Sequence, residues 1–183
     1  RFVAGDTALG AHVQRAIDRF IFARPVDAGF VDTAIEMRKR MEPAPDRDKP
    51  TKLDIKRSAG GLIDVEFLAQ VCVLQGKQLW SGTDRTNTPQ ALARAAKLKY
   101  IEQPQQSKLA AAYRLLRGIE KANRLMGSSN PSELPAGADL TILSEILGRP
   151  NAERFAEEVS ETMRQTRMIF ERWMDHLRRS GRL

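Results

Sequence analysis

Apolar residues recur at three- and four-residue spacing along most of the chain, and the gaps between these runs hold proline, glycine or clustered charge. Val13, Ile17, Phe20 and Ile21 share one face of a helix expected from Ala11 to Arg24, ahead of Pro25. Asp27 is placed to cap a second helix with the stripe Phe30, Val31, Ala34, Ile35 and Met41. A third, Leu62 to Gln75, is apolar on two sides. Leu62, Val65, Ala69 and Cys72 form one line, and Ile63, Phe67, Val71 and Leu74 another, which predicts a central position. Glu66 and Gln70 occupy the remaining line, close enough to share a polar network, and Gly76 stops the helix.

Thr88 before Pro89 predicts the start of a fourth helix, running to about Tyr100. A longer one follows from Pro104 to Met126, with Leu109, Ala112, Tyr113, Leu116, Ile119 and Leu125 inward. Ser128 to Gly137 reads as a loop, and Asp139 begins a short helix ending at Gly148. Asn151 begins the last helix, with the stripe Phe155, Val159, Met163, Thr166, Ile169, Phe170 and Trp173; past His176 the basic tail reads as frayed. Three prolines among alternating charges make 43–52 an expected exposed linker. No solenoid period is visible. The pattern predicts an all-α fold, a helical bundle of about seven helices in a single helical domain over 1–183.

Composition narrows the class. The chain has 183 residues, 42% hydrophobic and 29% charged, ordinary for a globular protein with a real core. No apolar stretch reaches bilayer length, and no membrane partner is expected. No secretory leader is visible, and the start at Arg1 reads as an excised piece of a longer polypeptide. One cysteine, Cys72, excludes an internal disulfide framework and suits a reducing, cytoplasmic setting. It lies in an apolar run and reads as a buried small hydrophobe. His12 and His176, the two histidines, have no ligand spacing and read as surface side chains, so no metal site is expected. The net charge is +7, and its excess falls between Lys77 and Arg124, where the acids are Asp84, Glu102 and Glu120. Such an excess suits a nucleotide, a nucleic acid or an acidic protein surface, but from charge alone a solvated helix face is the favoured reading.

The candidate chemistry sits in Lys52 to Gln70. A β-prone run (Leu53, Ile55) carries Lys56 and Arg57, and Gly60-Gly61 then opens the apolar helix, with Asp64 and Glu66 in its first turns. Glycines allow close backbone approach, and a helix N-terminus offers N–H groups to an anion. The same pair is also what a tight entry turn requires. Asp64 has a plain reading as a first-turn acid favoured by the helix dipole. Glu66 lies between Val65 and Phe67 on a buried helix and needs a partner: Gln70, Lys56, a backbone N–H or a neighbouring domain. A phosphate-binding Gly-x-x-x-x-Gly-Lys-Ser/Thr loop and a Ser–His–Asp set are both missing. Asp46 and Asp48 have metal-pair spacing, but in the Pro-rich linker. No catalytic residue is expected in this chain.

The run Ile55-Lys56-Arg-Ser-Ala-Gly60-Gly61-Leu-Ile-Asp64-Val-Glu66-Phe67-Leu-Ala-Gln70 resembles the Lys-x-x-x-Gly-Gly-Ile-x-Asp/Glu-Ile-Glu-Phe-x-x-Gln motif of glutamine-synthetase adenylyltransferases. A looser form occurs in PII uridylyltransferases. Val3 to Asp6, Ile35 to Met41 and Ala112 to Glu120 add matches, so the likeness runs from Val3 to about Leu147. Ile63 and the linker from Pro43 to Pro50 depart from the family pattern. The resemblance implies two tandem units, each a catalytic α/β domain followed by a nucleotidyltransferase-associated helical domain, of which this chain is a helical one. One unit attaches AMP from ATP to a tyrosine of glutamine synthetase, and the other removes it. Asp at position 64 and the basic tail favour the AMP-transferring unit.

By the same resemblance, ATP and Mg2+ belong to the intact enzyme, with neither expected to bind tightly to this chain. Lys56 would contact the phosphates, and Gly60 and Gly61 would permit close packing at the domain interface. Asp64 and Glu66 would orient Lys56, support the metal site or anchor the partner domain. The implied partners are the upstream nucleotidyltransferase domain and glutamine synthetase, with the PII signal protein as a further candidate. An alternative is an interaction module whose basic helical surface, including Arg114, Arg117 and Lys121, recognises glutamine synthetase or PII without touching nucleotide. A nucleic-acid binder lacks support, since neither a helix-turn-helix pattern nor a cluster of stacking aromatics is present.

Overall fold

The computed structural model describes residues 2–23, 28–44, 53–76 and 86–180. Among them the chain forms seven helices in the order α1 (Thr7–Phe22), α2 (Ala28–Arg40), α3 (Leu62–Gly76), α4 (Thr88–Lys97), α5 (Gln103–Leu125), α6 (Ala138–Ile146) and α7 (Ala152–Ser180). The all-α expectation holds. Asp27, Asp46, Asp48, Lys77 and most of the expected linker (45–52) lie outside the described residues, while Pro43 and Ala44 are exposed and without regular structure.

Boundaries moved where a cap was overlooked. α1 starts four residues early because Asp6 caps it, its carboxylate accepting from the Leu9 N–H at 2.7 Å. Asn87, not Thr88, caps α4, its side chain accepting from the Gln90 N–H at 3.1 Å. α4 ends at Lys97, short of Tyr100, because Lys99 turns left-handed at φ 61°. The Lys99 and Tyr100 N–H groups then donate back to the Ala96 and Ala95 carbonyls at 3.0 and 2.9 Å. Glycine is the residue that adopts this conformation without strain. Because the Lys99 side chain is exposed, Lys99→Gly is expected to stabilise the fold by about 0.5–1 kcal/mol. A rise in the urea midpoint measures it.

The helices pack around two apolar clusters. The first gathers Val31 of α2, Val65, Leu68 and Cys72 of α3, Leu92 of α4 and Phe170, Trp173 and Met174 of α7. The second gathers Ile55 and Leu62 with Leu116 and Ile119 of α5, Leu143 of α6 and Phe155, Val159 and Met163 of α7. Both apolar lines of α3 face neighbours, as a central helix requires, and α7 runs through both clusters. Cys72 is fully buried, which pushes its thiol pKa up; His12 and His176 are both exposed.

Two expectations fail. Leu125 is 86% exposed, because the buried stripe of α5 continues through Ala122 and Asn123 instead. Asn123 donates to the Pro131 and Glu133 carbonyls at 2.9 and 2.8 Å and so ties down the loop after α5. The expected frayed tail is helical through Ser180, with Leu177 buried and Arg178 paired to Asp32 at 2.9 Å. α1 contributes no buried residue, so Val13, Ile17, Phe20 and Ile21 stay exposed.

Candidate functional site

The Lys56 turn lies at the seam between the two clusters. Its β-prone entry forms a single antiparallel bridge, Asp54 to Glu133. The Ile55 N–H donates to Ser132 O at 2.8 Å and the Leu134 N–H to Leu53 O at 2.9 Å. The Asp54 carboxylate folds the chain back by accepting from the Lys56 and Arg57 N–H groups at 2.9 and 2.8 Å, and from Arg57 Nε at 2.9 Å. The Leu62 and Ile63 N–H groups donate to the Ile55 and Lys56 carbonyls at 3.0 and 3.1 Å, and that of Gly61 to Ser58 O at 2.9 Å. Gly60 N–H donates to Asp64 Oδ2 at 2.7 Å. The amides that a phosphate would use at the start of α3 are therefore engaged by the chain itself.

Both glycines are required by close approach within the chain. Gly60 sits at φ +78°, and a Cβ there would lie 1.8 Å from the Met163 carbonyl oxygen of α7. A Cβ on Gly61 would meet the Lys56 and Ile55 carbonyl oxygens at 2.7 and 2.8 Å. The glycines seat the turn on α7 and on itself.

Asp64 is fully buried and forms an ion pair with Arg38 of α2, itself 0% exposed. Arg38 Nη2 also donates to the Arg57 and Ser58 carbonyls at 2.9 and 3.0 Å, and its Nη1 lies 3.5 Å from Glu42. Arg167 of α7 closes the network, reaching Glu42 at 2.8 Å, Asp64 at 3.4 Å and Glu171 at 2.7 Å. Burial alone would lower the Arg167 pKa, but the Glu171 hydrogen bond and the Asp64, Glu42 and Glu171 charges raise it, so the guanidinium stays charged. Two cations and several acceptors thus clamp α2, α3 and α7 around the turn.

Glu66 finds a partner that the sequence reading did not name. Arg117 of α5 donates to it at 2.6 Å, and also to Glu120 at 2.6 Å and to the Tyr113 hydroxyl at 3.2 Å. Gln70 is exposed. Arg117 thus belongs to an internal tie between α3 and α5 rather than to a free basic surface.

Neither carboxylate fits a Mg2+ ligand as placed here, because arginines hold both. Among the described residues no group of three or more His, Cys, Asp or Glu comes together to hold a metal ion. Lys56 is different: it is partly exposed, and its ammonium makes no ion pair among the described residues. Arg57, beside it, has a side chain 58% exposed while paired with Asp54. Of the turn's donors, these two side chains, and not its amides, are the ones that reach solvent.

Arg38 and Arg167 escaped the sequence reading. The signal for Arg38 was its register, since Val31, Ala34 and Arg38 lie at i, i+3 and i+7, on one face of α2. A cation on a core-facing stripe demands a buried acid.

The profile described as GlnD PII-uridylyltransferase matches residues 31–174. The chain is similar to a "Bifunctional glutamine synthetase adenylyltransferase/adenylyl-removing enzyme" of Mesorhizobium japonicum, 33% identical over 100% of this chain and 18% of the relative. An enzyme of the same description from Rhodopseudomonas palustris is 28% identical over 94% of this chain and 17% of its own length. One from Chromobacterium violaceum is 33% identical over 68% of this chain and 14% of its own. The chain spans less than a fifth of the length of these relatives. No helix among the described residues is long and apolar enough to cross a membrane. With most of its residues matched by the profile, the chain belongs to the GlnD PII-uridylyltransferase family, together with these adenylyltransferases.

Proposed function

We propose that this chain is the helical domain of a bifunctional glutamine synthetase adenylyltransferase/adenylyl-removing enzyme. A nucleotidyltransferase domain of the same polypeptide closes against the face that carries Lys56. In the intact cytoplasmic enzyme, AMP passes from ATP, with Mg2+, to a tyrosine of glutamine synthetase as part of nitrogen regulation, and PII is a further partner. Bond making belongs to the catalytic domain. This chain supplies a rigid wall and one ammonium: Lys56 contacts the nucleotide phosphates, while Asp64 and Glu66 act from behind by holding the wall in shape.

The observation that carries this reading is a lysine without an ion pair among the described residues, displayed on a turn whose amides, glycines and carboxylates are otherwise committed. Its test uses the full-length enzyme. Lys56→Ala is expected to lower AMP transfer to glutamine synthetase by about tenfold or more, with the denaturation midpoint unchanged. Full activity of that variant would remove the role of Lys56. The chain by itself is expected to transfer no AMP.

A further inference from the structure

α1 stands apart from the rest of the bundle. Leu9, Val13, Ile17, Phe20 and Ile21 form a stripe about 120° wide along it, the breadth of a helix face that belongs in a core. All are exposed, Phe20 by 84%. Within α1, Phe22 in the last turn is the residue that packs against an apolar cluster. Asp18, Arg15 and Arg19 occupy the other side, where Gln14 donates to Asp18 at 2.8 Å.

The segment before α1 widens the stripe. Gly10 admits the Phe2 ring, from which a Cβ at that position would lie 2.4 Å away. Phe2 and Val3 thereby join Leu9, Val13 and Ile17 around an open groove of about 470 Å³, with Val3 86% exposed. A folded monomer seldom leaves so much contiguous apolar surface in water. A 16-residue helix without a packed face is also marginal by itself. Phe22 aside, both apolar clusters are built from residues that follow α1, so its cover comes from outside the bundle.

The family profile begins at residue 31, inside α2, and leaves α1 outside the unit that it matches. Similarity to the Mesorhizobium japonicum relative nevertheless spans the whole chain, α1 included, and this is 18% of that relative's length. α1 thus goes with the longer polypeptide while standing outside the bundle. We propose, on the reading of this chain as part of a longer adenylyltransferase, that the nucleotidyltransferase domain preceding the bundle covers the apolar face of α1. α1 is then the last helix of that domain's core, and the bundle begins with α2. Phe22 ties the two units, since it ends α1 and packs against the cluster shared by α2, α3, α4 and α7. So broad an apolar stripe suits a permanent contact rather than a partner that comes and goes.

Hydrogen exchange read by mass spectrometry on peptides covering 7–22 compares this chain with the full-length enzyme. The α1 amides are expected to exchange almost freely in the chain and at least about tenfold more slowly in the enzyme. Amides of α3 serve as the protected reference in both. Val13→Glu with Phe20→Glu is expected to abolish the added protection in the enzyme. The same pair is expected to leave the melting temperature of the chain unchanged, because both side chains are exposed there. Arg15→Ala, on the other side of α1, is expected to change neither. Equal exchange of α1 in chain and enzyme overturns the proposal. So does protection in the chain that grows with its concentration, which assigns the face to a second copy. A loss in Arg15→Ala as large as in the double variant also overturns it, because no particular face would then be covered. AMP transfer by the unaltered enzyme is measured on the same preparation. Its absence would sink the proposed function, whereas the exchange readout needs no activity and decides the cover of α1 by itself.

Discussion

Asp64→Ala is expected to cost about 3–5 kcal/mol of unfolding free energy, a large share of what a domain of this size possesses. The reason lies in what the substitution leaves behind. Arg38 is 0% exposed, and its Nη1 already lacks a hydrogen-bond acceptor. Without Asp64 its charge would sit in the core with two backbone carbonyls and the more distant Glu42 for company. Gly60 N–H would lose its acceptor as well. Urea denaturation of the single variant measures the loss. The double variant Arg38→Met with Asp64→Ala is expected to recover at least about half of it, because both charges leave together. A loss below about 1 kcal/mol in Asp64→Ala would mean that water already reaches the pair.

Gly60→Ala is expected to be of similar size, by a different mechanism. A left-handed φ of +78° penalises any Cβ, and this Cβ would fall 1.8 Å from a backbone oxygen of α7. Backbone cannot swing aside as a flexible side chain can, so either the turn or α7 must move. Together the φ penalty and the overpacking amount to about 2–5 kcal/mol. In the full-length enzyme a second effect is expected, because the shifted turn carries Lys56 with it. Gly60→Ala should therefore lower AMP transfer even at temperatures where the domain stays folded. Denaturation and activity measured on the same variant separate the two effects.

Helical periodicity carried most of the fold. The double apolar line of α3 announced a central helix, and the Asn151 start with the Phe155 to Trp173 stripe announced α7. Cap residues were less legible, since Asp6 and Asn87 act by a single side-chain hydrogen bond that periodicity does not register. The site was readable as a motif but not as a mechanism. Gly60-Gly61 ahead of a helix looks the same whether the close neighbour is a ligand or another helix, and only the position of Met163 separates the two. Partners more than one helix away, such as Arg117 for Glu66 across 51 residues, leave no local trace. Arg38 did leave a local trace, its place on the apolar face of α2, but that trace was not read from the sequence.

The last of the seven helices belongs to both apolar clusters: Phe155, Val159 and Met163 complete one, and Phe170, Trp173 and Met174 the other. A chain leaving the ribosome is made in that order, so neither cluster can close until α7 has emerged. Until then α3, the most apolar helix, has no lid on the side that α7 covers. Trigger-type holdases should therefore find their longest window on nascent chains that end before about Ala152.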